Sequence, residues 1–207
     1  MSLSPSKSAL RAQLKARRAA ADPETRAQAG AFAASALLEL SQATTVIALY
    51  HATASEFPTQ QLAESLWGRG QKIVLPVIGT QGSLSFRQWH PADTLHTSSL
   101  NTLEPSAHAE SVSISHIDLV VVPVVGFDQR GRRLGMGGGY YDRTLADATA
   151  TLKIGLAYDC QEVEALTVEP HDIALDYVIT ESRIITCCSS DTQATHSAQY
   201  PRPHQSD

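Results

Sequence analysis

Apolar residues recur along this chain in two rhythms, one suited to strands and one to helices. Seven stretches read as strands: "TTVIALY" (44–50), Lys72 to Ile78, Leu84 to Trp89, "DLVVVPVV" (118–125), "TLKIGLAY" (151–158), and short runs near Tyr177–Thr180 and Arg183–Thr186. The run at 118–125 is continuously apolar, as a strand buried on both faces requires. Helix start signals fall between these runs. Ser4-Pro5 places a capping hydroxyl before a first-turn proline, and Leu10 and Leu14 then supply one apolar edge. Asp22-Pro23-Glu24 repeats the signal for a second helix through about Leu40. Pro58 opens a third, "TQQLAESLWGRG", which Gly70 can close, and a fourth starts at Tyr140. Residues 90 to 116 are rich in Ser, Thr, His and Pro and predict a loop with little regular structure. No internal repeat is visible.

Strands alternating with helices predict an α/β fold, with a mostly parallel central sheet flanked by helices. With 207 residues, 43% of them apolar, the chain can bury one good core, so residues 1–188 are expected to form a single domain. Residues 189–207 are polar and aperiodic and are expected to be a disordered tail. Lys and Arg number 16 against 21 Asp and Glu, a net charge of −5, so nothing global attracts nucleic acid or membrane. An anion site, if present, has to be local. The longest apolar run, Leu119 to Val125, is too short for a bilayer and is interrupted by Pro123. The N-terminal segment is polar and basic, without a signal-peptide core, and points to the cytoplasm. Cys160, Cys187 and Cys188 form no CxxC pair, and reduced thiols are expected. The eight histidines show no HExxH spacing, which argues against zinc.

The chemistry concentrates in "VVPVVGFDQRGRRLGMGGGYYDRTLA", residues 121–146, which holds six of the 12 glycines. Glycine-rich backbone between a buried strand and a helix start can cradle phosphate through bare N–H groups and the helix's positive end. Two familiar templates fail. In GxGxxG, Gly135 and Gly137 fit but the sixth position is Tyr140, and no Gly-Lys-Ser/Thr exists anywhere in the chain. A third kind of phosphate loop remains, beside the plainer reading of a structural turn. Arg132 and Arg133 add positive charge ahead of the loop. Asp142, in the first helical turn, can hold Mg²⁺ beside phosphates or simply complement the helix dipole. Asp128 and Gly131 are spaced as the first and fourth positions of a type I turn. On the N-terminal helix, Lys7, Arg11, Lys15 and Arg18 share one stripe, either an anion contact or a solvated basic face.

The segment "GFDQRGRRLGMGGGYYDR" closely resembles the signature of the 5-formyltetrahydrofolate cyclo-ligase family, also called methenyltetrahydrofolate synthetases. "KSALR" is similar to that family's opening Lys-x-x-x-Arg, "SEFPT" to its Glu-containing loop after the first strand, and "HDIALDYVIT" to its closing Asp-containing strand. The resemblance runs from about residue 5 to 186, and its long motif is highly specific. It implies a three-layer α/β sandwich and closure of 5-formyltetrahydrofolate to 5,10-methenyltetrahydrofolate, with ATP as co-substrate, Mg²⁺ as cofactor, and release of ADP and phosphate. It further implies that Lys7 and Arg11 contact ATP phosphates, with Lys7 and Arg133 serving the transfer itself. Arg133, Leu134, Gly135, Met136, Gly137, Gly138, Gly139, Tyr140 and Tyr141 would line the junction of nucleotide and folate. Asp142 and Asp176 would hold Mg²⁺, while His51, Glu56 and Tyr140 would face the folate. The implied partners are small molecules alone, ATP and 5-formyltetrahydrofolate with or without a polyglutamate tail, acting on a monomer. The chain departs from the family pattern at "NTLEP" (101–105), and lacks the basic residue some relatives carry at Met136 or Gly138. Two other readings stand beside this one: a non-catalytic folate- or nucleotide-binding protein on the same fold, and a sugar-phosphate isomerase that would need no ATP.

Overall fold

The computed structural model describes residues 6–53, 55–79 and 82–187. Its elements are α1 (Lys7–Ala19), α2 (Pro23–Leu40), β1 (Val46–Ala48), α3 (Gln60–Gly68), β2 (Lys72–Ile78), β3 (Leu84–Gln88), β4 (His96–Thr97), β5 (Leu103–Glu104), β6 (Ser111–Val112), β7 (Leu119–Pro123), β8 (Gly126–Phe127), β9 (Arg133–Leu134), α4 (Tyr140–Leu145), β10 (Leu152–Leu156), β11 (Tyr177–Ile179) and β12 (Ile184–Thr186). Local chemistry explains most starts. Ser6 Oγ accepts from Ala9 N at 3.2 Å to cap α1. Asp22 does the same for α2, accepting from Thr25 N at 2.9 Å with Pro23 in the first turn. The expected Ser4-Pro5 cap and the tail from residue 189 lie outside the described residues.

Eight strands form one sheet in the order β12-β11-β10-β7-β1-β2-β3-β6. Its five central strands, β11 to β2, pair in parallel, and the pairings outside them are antiparallel. Alternate residues of the inner strands go to opposite cores, as period-two geometry dictates. Ile47, Leu49, Ile73, Leu75, Leu119 and Val121 pack under α2 and α3. Ala48, Val74, Val120 and Val122 pack on the other face with Leu145 of α4 and with Val124, Phe127 and Leu175 from connecting segments. The α/β sandwich is therefore asymmetric: long helices cover one face, while one short helix and ordered loops cover the other. A run of small residues, Ala29, Gly30, Ala33 and Ala34, lines the buried face of α2.

The segment 90–116, expected as plain loop, contains β4, β5, β6 and a 3₁₀ turn at Ile114–His116. Each strand there is two residues long, β4 pairing with β5 within the segment and β6 with β3, and runs so short show no apolar rhythm. Within it Glu104 accepts from Ile78 N at 3.1 Å and ties the "NTLEP" stretch to the end of β2.

The N-terminal ends of the parallel strands are held by two aspartates. Asp118 Oδ2 accepts from Thr45 N at 2.8 Å, Val46 N at 2.9 Å and Thr45 Oγ1 at 3.1 Å. Asp176 Oδ2 accepts from Lys153 N at 2.8 Å, at the start of β10. Burial pushes the Asp118 carboxyl up, but the Val46 and Thr45 N–H groups and the Thr45 hydroxyl outweigh it and hold the carboxyl below its usual value. A depressed carboxylate stabilises the fold above the unfolded-chain value near about pH 4, and that contribution disappears as pH falls through the folded value. Asp118→Asn is expected to lose about 1 kcal/mol at neutral pH, a small figure because the carboxylate is exposed. Urea denaturation should show that gap narrowing below about pH 4.

Candidate functional site

The strand order places a crevice at one point of the sheet. From β1 the chain passes through α3 to β2 on one side, whereas from β7 it passes through α4 to β10 on the other. Neighbouring strands whose connections diverge leave open space beyond their C-terminal ends, where α/β sheets bind ligands. Two connections border that space. One is the turn after β1 that carries His51, Ser55 and Glu56, and the other is the glycine-rich segment after β7. Helix α1 is anchored beside them, with Leu14 packed on Val125, Leu134 and Leu166. A side chain at Gly126 would collide with Leu14, so glycine there permits the helix's close approach.

The glycine-rich segment is not a simple strand-to-helix loop. β8 and β9 first form a small antiparallel hairpin, closed by the turn at Asp128–Gly131. Asp128 Oδ1 accepts from Arg130 N at 3.0 Å and Arg132 N at 3.1 Å, and its Oδ2 accepts from Leu166 N at 3.0 Å. Arg132 donates to Leu166 O at 3.0 Å, so this guanidinium serves the hairpin. Leu134 is buried in the cluster with Leu14, and only its backbone can face a ligand.

Beyond the hairpin, two arginines hold loop carbonyls. Arg11 Nε donates to Gly135 O at 2.9 Å, and Arg143 Nη2 donates to Gly138 O at 2.5 Å. Gly137 (φ 102°) and Gly139 (φ 65°) take the left-handed conformations that the turn requires. Peptides that alternate in this way can present N–H groups as an anion-binding concavity. α4 spans only 6 residues, so its dipole adds less than the sequence led us to expect. Met136 stands 58% exposed on this loop, and Tyr140 lies under the Arg143 guanidinium at 5.6 Å.

Arg133 and Asp142 form the charged heart of the site. Arg133 Nη2 lies 2.5 Å from Asp142 Oδ1, with the two side chains 5% and 14% exposed. Asp142 Oδ1 also accepts from Ile173 N at 3.1 Å, and no hydrogen bond reaches Oδ2 among the described residues. Arg133 Nε is buried with no partner among them. Lys7 Nζ lies 2.7 Å from Glu169 and 3.6 Å from Asp172, the residue before Ile173. The Glu169 carboxylate is the main reason the Lys7 ammonium is held above its usual value.

Glu56 lies in the turn after β1. Its Oε2 accepts from Thr53 N at 2.8 Å and Thr53 Oγ1 at 2.9 Å. Burial pushes the Tyr141 phenol up, with nearby Arg133 opposing and Glu56 adding to the shift, so all three share one electrostatic neighbourhood. His51 stands edge-on to Trp89, with the ring centroids 6.0 Å apart. Asp176 is not brought to Asp142: it sits at the start of β10, the sheet end opposite the departure of the glycine loop. No group of three His, Cys, Asp or Glu gathers to hold a metal among the described residues. A cation here would draw one carboxylate from Asp142 and its remaining ligands from phosphate and water, the usual arrangement for Mg²⁺.

Sequence reasoning left Arg143, Glu169, Asp172 and Ser55 unassigned. Arg143, Asp172 and Ser55 lay within the quoted stretches "GFDQRGRRLGMGGGYYDR", "HDIALDYVIT" and "SEFPT", whereas Glu169 had no such signal. The basic stripe also divides: Lys7 and Arg11 reach the site, while Arg18 is buried at 4% exposure.

Residues 3–181 match the model of the 5-formyltetrahydrofolate cyclo-ligase family. The chain is 37% identical over 178 residues to the 5-formyltetrahydrofolate cyclo-ligase of Escherichia coli (strain K12), covering 83% of this chain and 98% of that protein. It is 38% identical over 144 residues to the Haemophilus influenzae protein of the same name, covering 67% of this chain and 76% of that one. Among solved structures, 5,10-methenyltetrahydrofolate synthetase of Aquifex aeolicus superposes with a TM-score of 0.77 at 28% identity, covering 94% of this chain and 99% of the other. The Mycoplasma pneumoniae synthetase gives 0.70 at 26% identity, covering 86% and 99%.

Asp142 is the carboxylate partner of a buried guanidinium, so its loss reaches beyond any ligand. Asp142→Asn is expected to cost about 3 kcal/mol of stability by leaving Arg133 buried and unpaired. In urea denaturation, the double variant Arg133→Met, Asp142→Asn should lose less than Asp142→Asn alone, because it removes the stranded charge.

Proposed function

Because the chain belongs to the 5-formyltetrahydrofolate cyclo-ligase family, we propose that its crevice joins ATP and 5-formyltetrahydrofolate for a Mg²⁺-dependent ring closure. The protein is a 5-formyltetrahydrofolate cyclo-ligase, producing 5,10-methenyltetrahydrofolate. One observation carries the assignment of its parts. The glycine loop with its Arg133–Asp142 pair follows β7 and the Glu56 turn follows β1, so both leave the sheet where the connections of β7 and β1 diverge.

The triphosphate lies against the loop from Gly135 to Gly139, with Tyr140 and Tyr141 at the nucleotide–folate junction. Arg11 approaches from α1, already fixed to the loop by Gly135 O. Lys7 reaches the phosphates by leaving Glu169 and Asp172, which costs little because that pairing is exposed. Arg133 stabilises charge on the transferring phosphoryl group, the chief demand of this chemistry. The formyl oxygen attacks the γ-phosphorus and the bond to the β,γ-bridging oxygen breaks, releasing ADP. N10 of the folate then attacks the activated carbon and loses its proton, and the C–O bond breaks to release phosphate. Asp142 would hold Mg²⁺, which would supply positive charge against the phosphates. Glu56 orients the substrate: one carboxylate oxygen is tied to Thr53, and the other can accept the N–H donors of a pterin. Tyr140 and His51 complete the folate wall, and Met136 stays with the nucleotide loop. Asp176 holds the start of β10 and stays outside the assignment.

Residues 1–188 act as one domain and a monomer in the cytoplasm, and accept folates with or without a polyglutamate tail. No helix among the described residues is long and apolar enough to cross a membrane.

Absorbance at the methenyl product's band, followed with and without ATP and Mg²⁺, tests the reading. Product should form only with both present, and binding of either substrate without turnover would favour a non-catalytic protein. Replacing Lys7 and Arg11 together by Gln is expected to weaken ATP binding by roughly tenfold to a hundredfold, leaving folate binding nearly intact. Calorimetric titration of each substrate distinguishes this from a solvated basic face, for which ATP affinity would not move.

A further inference from the structure

Arg18 is a buried cation for which the site so far has no use. It is 4% exposed, and none of the ion pairs among the described residues involves it. Its Nη1 donates to Val124 O at a long 3.4 Å, its Nη2 to Ser55 Oγ at 3.1 Å, and its Nε is buried without a partner. Burying a guanidinium without a counterion is costly, and an apolar side chain of similar volume would ordinarily stabilise the fold more. Its neighbours do not depend on it. Val124 O already accepts from Gln161 Nε2 at 2.9 Å, and the Ser55 hydroxyl is half-buried, within reach of water. Helix α1 is anchored independently by Leu14.

What the guanidinium does join is the two sides of the crevice. Val124 follows β7 and leads into the glycine segment, whereas Ser55 precedes Glu56 in the turn after β1. Burial raises the Tyr50 phenol, and the charges of Glu56 and Arg18 both act on it, which places the two groups around one ring. We propose that Arg18 is a positioning residue that braces the Ser55–Glu56 turn against the end of β7, holding Glu56 where the folate's pterin binds. This rests on the assignment of Glu56 to the folate side. Lys7 and Arg11 lie on the same helix but reach the nucleotide side through their own contacts, so the effect is confined to the folate.

The test uses the full chain and steady-state kinetics with both substrates varied. Arg18→Met should melt at the wild-type temperature or higher, raise KM for 5-formyltetrahydrofolate about tenfold, the effect of losing one charge-assisted hydrogen bond, and leave KM for ATP within about twofold. Arg18→Lys, which keeps the charge and one donor, should recover part of the folate KM. Ser55→Ala, which leaves the core untouched, should also raise the folate KM, and combining it with Arg18→Met should add little. A folded Arg18→Met or Ser55→Ala with unchanged folate KM overturns the inference, as does a parallel rise in both KM values. If Arg18→Met fails to fold, Ser55→Ala alone decides. Failure of the wild-type protein to convert 5-formyltetrahydrofolate would instead sink the underlying assignment of function.

Discussion

The parallel pairing of β1 with β7, whose onward connections leave in opposite directions, is the constraint on which this molecule's chemistry depends. Val120 sits beside Ala48 in that pair, and both point into the same buried face. Because α3 and α4 must cover different faces, the chain cannot close over the strand ends between them. The space left is walled by two turns from distant parts of the sequence and flanked by the N-terminal helix. An active site for two substrates needs such a junction, since each wall can specialise. One wall carries backbone and cations suited to phosphate, and the other carries a carboxylate suited to an amino-substituted ring.

The glycine-rich wall is held in shape by arginine more than by glycine. Glycine makes the left-handed turns at Gly137 and Gly139 accessible, but it also leaves the loop many other conformations. Arg11 and Arg143 select among them by fixing the carbonyls of Gly135 and Gly138. They come from opposite directions, one from α1 and one from α4, so the loop is clamped between two helices. The same guanidinium groups also leave positive charge beside the cradle, where an anion would feel it.

Charge is used unevenly around the crevice. Arg133 is buried and paired with Asp142, whereas Lys7 is partly exposed and shared between Glu169 and Asp172. The buried pair is rigid and defines the floor of the site. The exposed pairing can be exchanged for a ligand at little cost, which suits the phosphate contact proposed for Lys7. Arg18 belongs to neither class, being buried and without a carboxylate partner among the described residues.

Much of this was legible in the residues. Alternating apolar runs and the capping signals at Asp22-Pro23 and Gly70 marked the main strands and helices, because backbone geometry and burial impose those rhythms locally. The glycine-rich stretch, with its arginine and aspartate, singled out by composition the segment that borders the crevice. What the sequence could not carry was the direction of each charged side chain. Lys7, Arg11, Lys15 and Arg18 share one helical stripe, yet three of them meet an acidic loop, a glycine carbonyl and a buried strand end. Asp142 and Asp176 both looked like metal ligands, but one faces the crevice and the other ties strands at the far end of the sheet. The two-residue strands of 96–112 were equally invisible, since two residues are too few to show a rhythm and β6 takes its partner from β3. Periodicity reports which face of an element is buried, while only the packed sheet decides what that face meets. Partner choice is a long-range property, set by strand order and by the connections that diverge at β1 and β7.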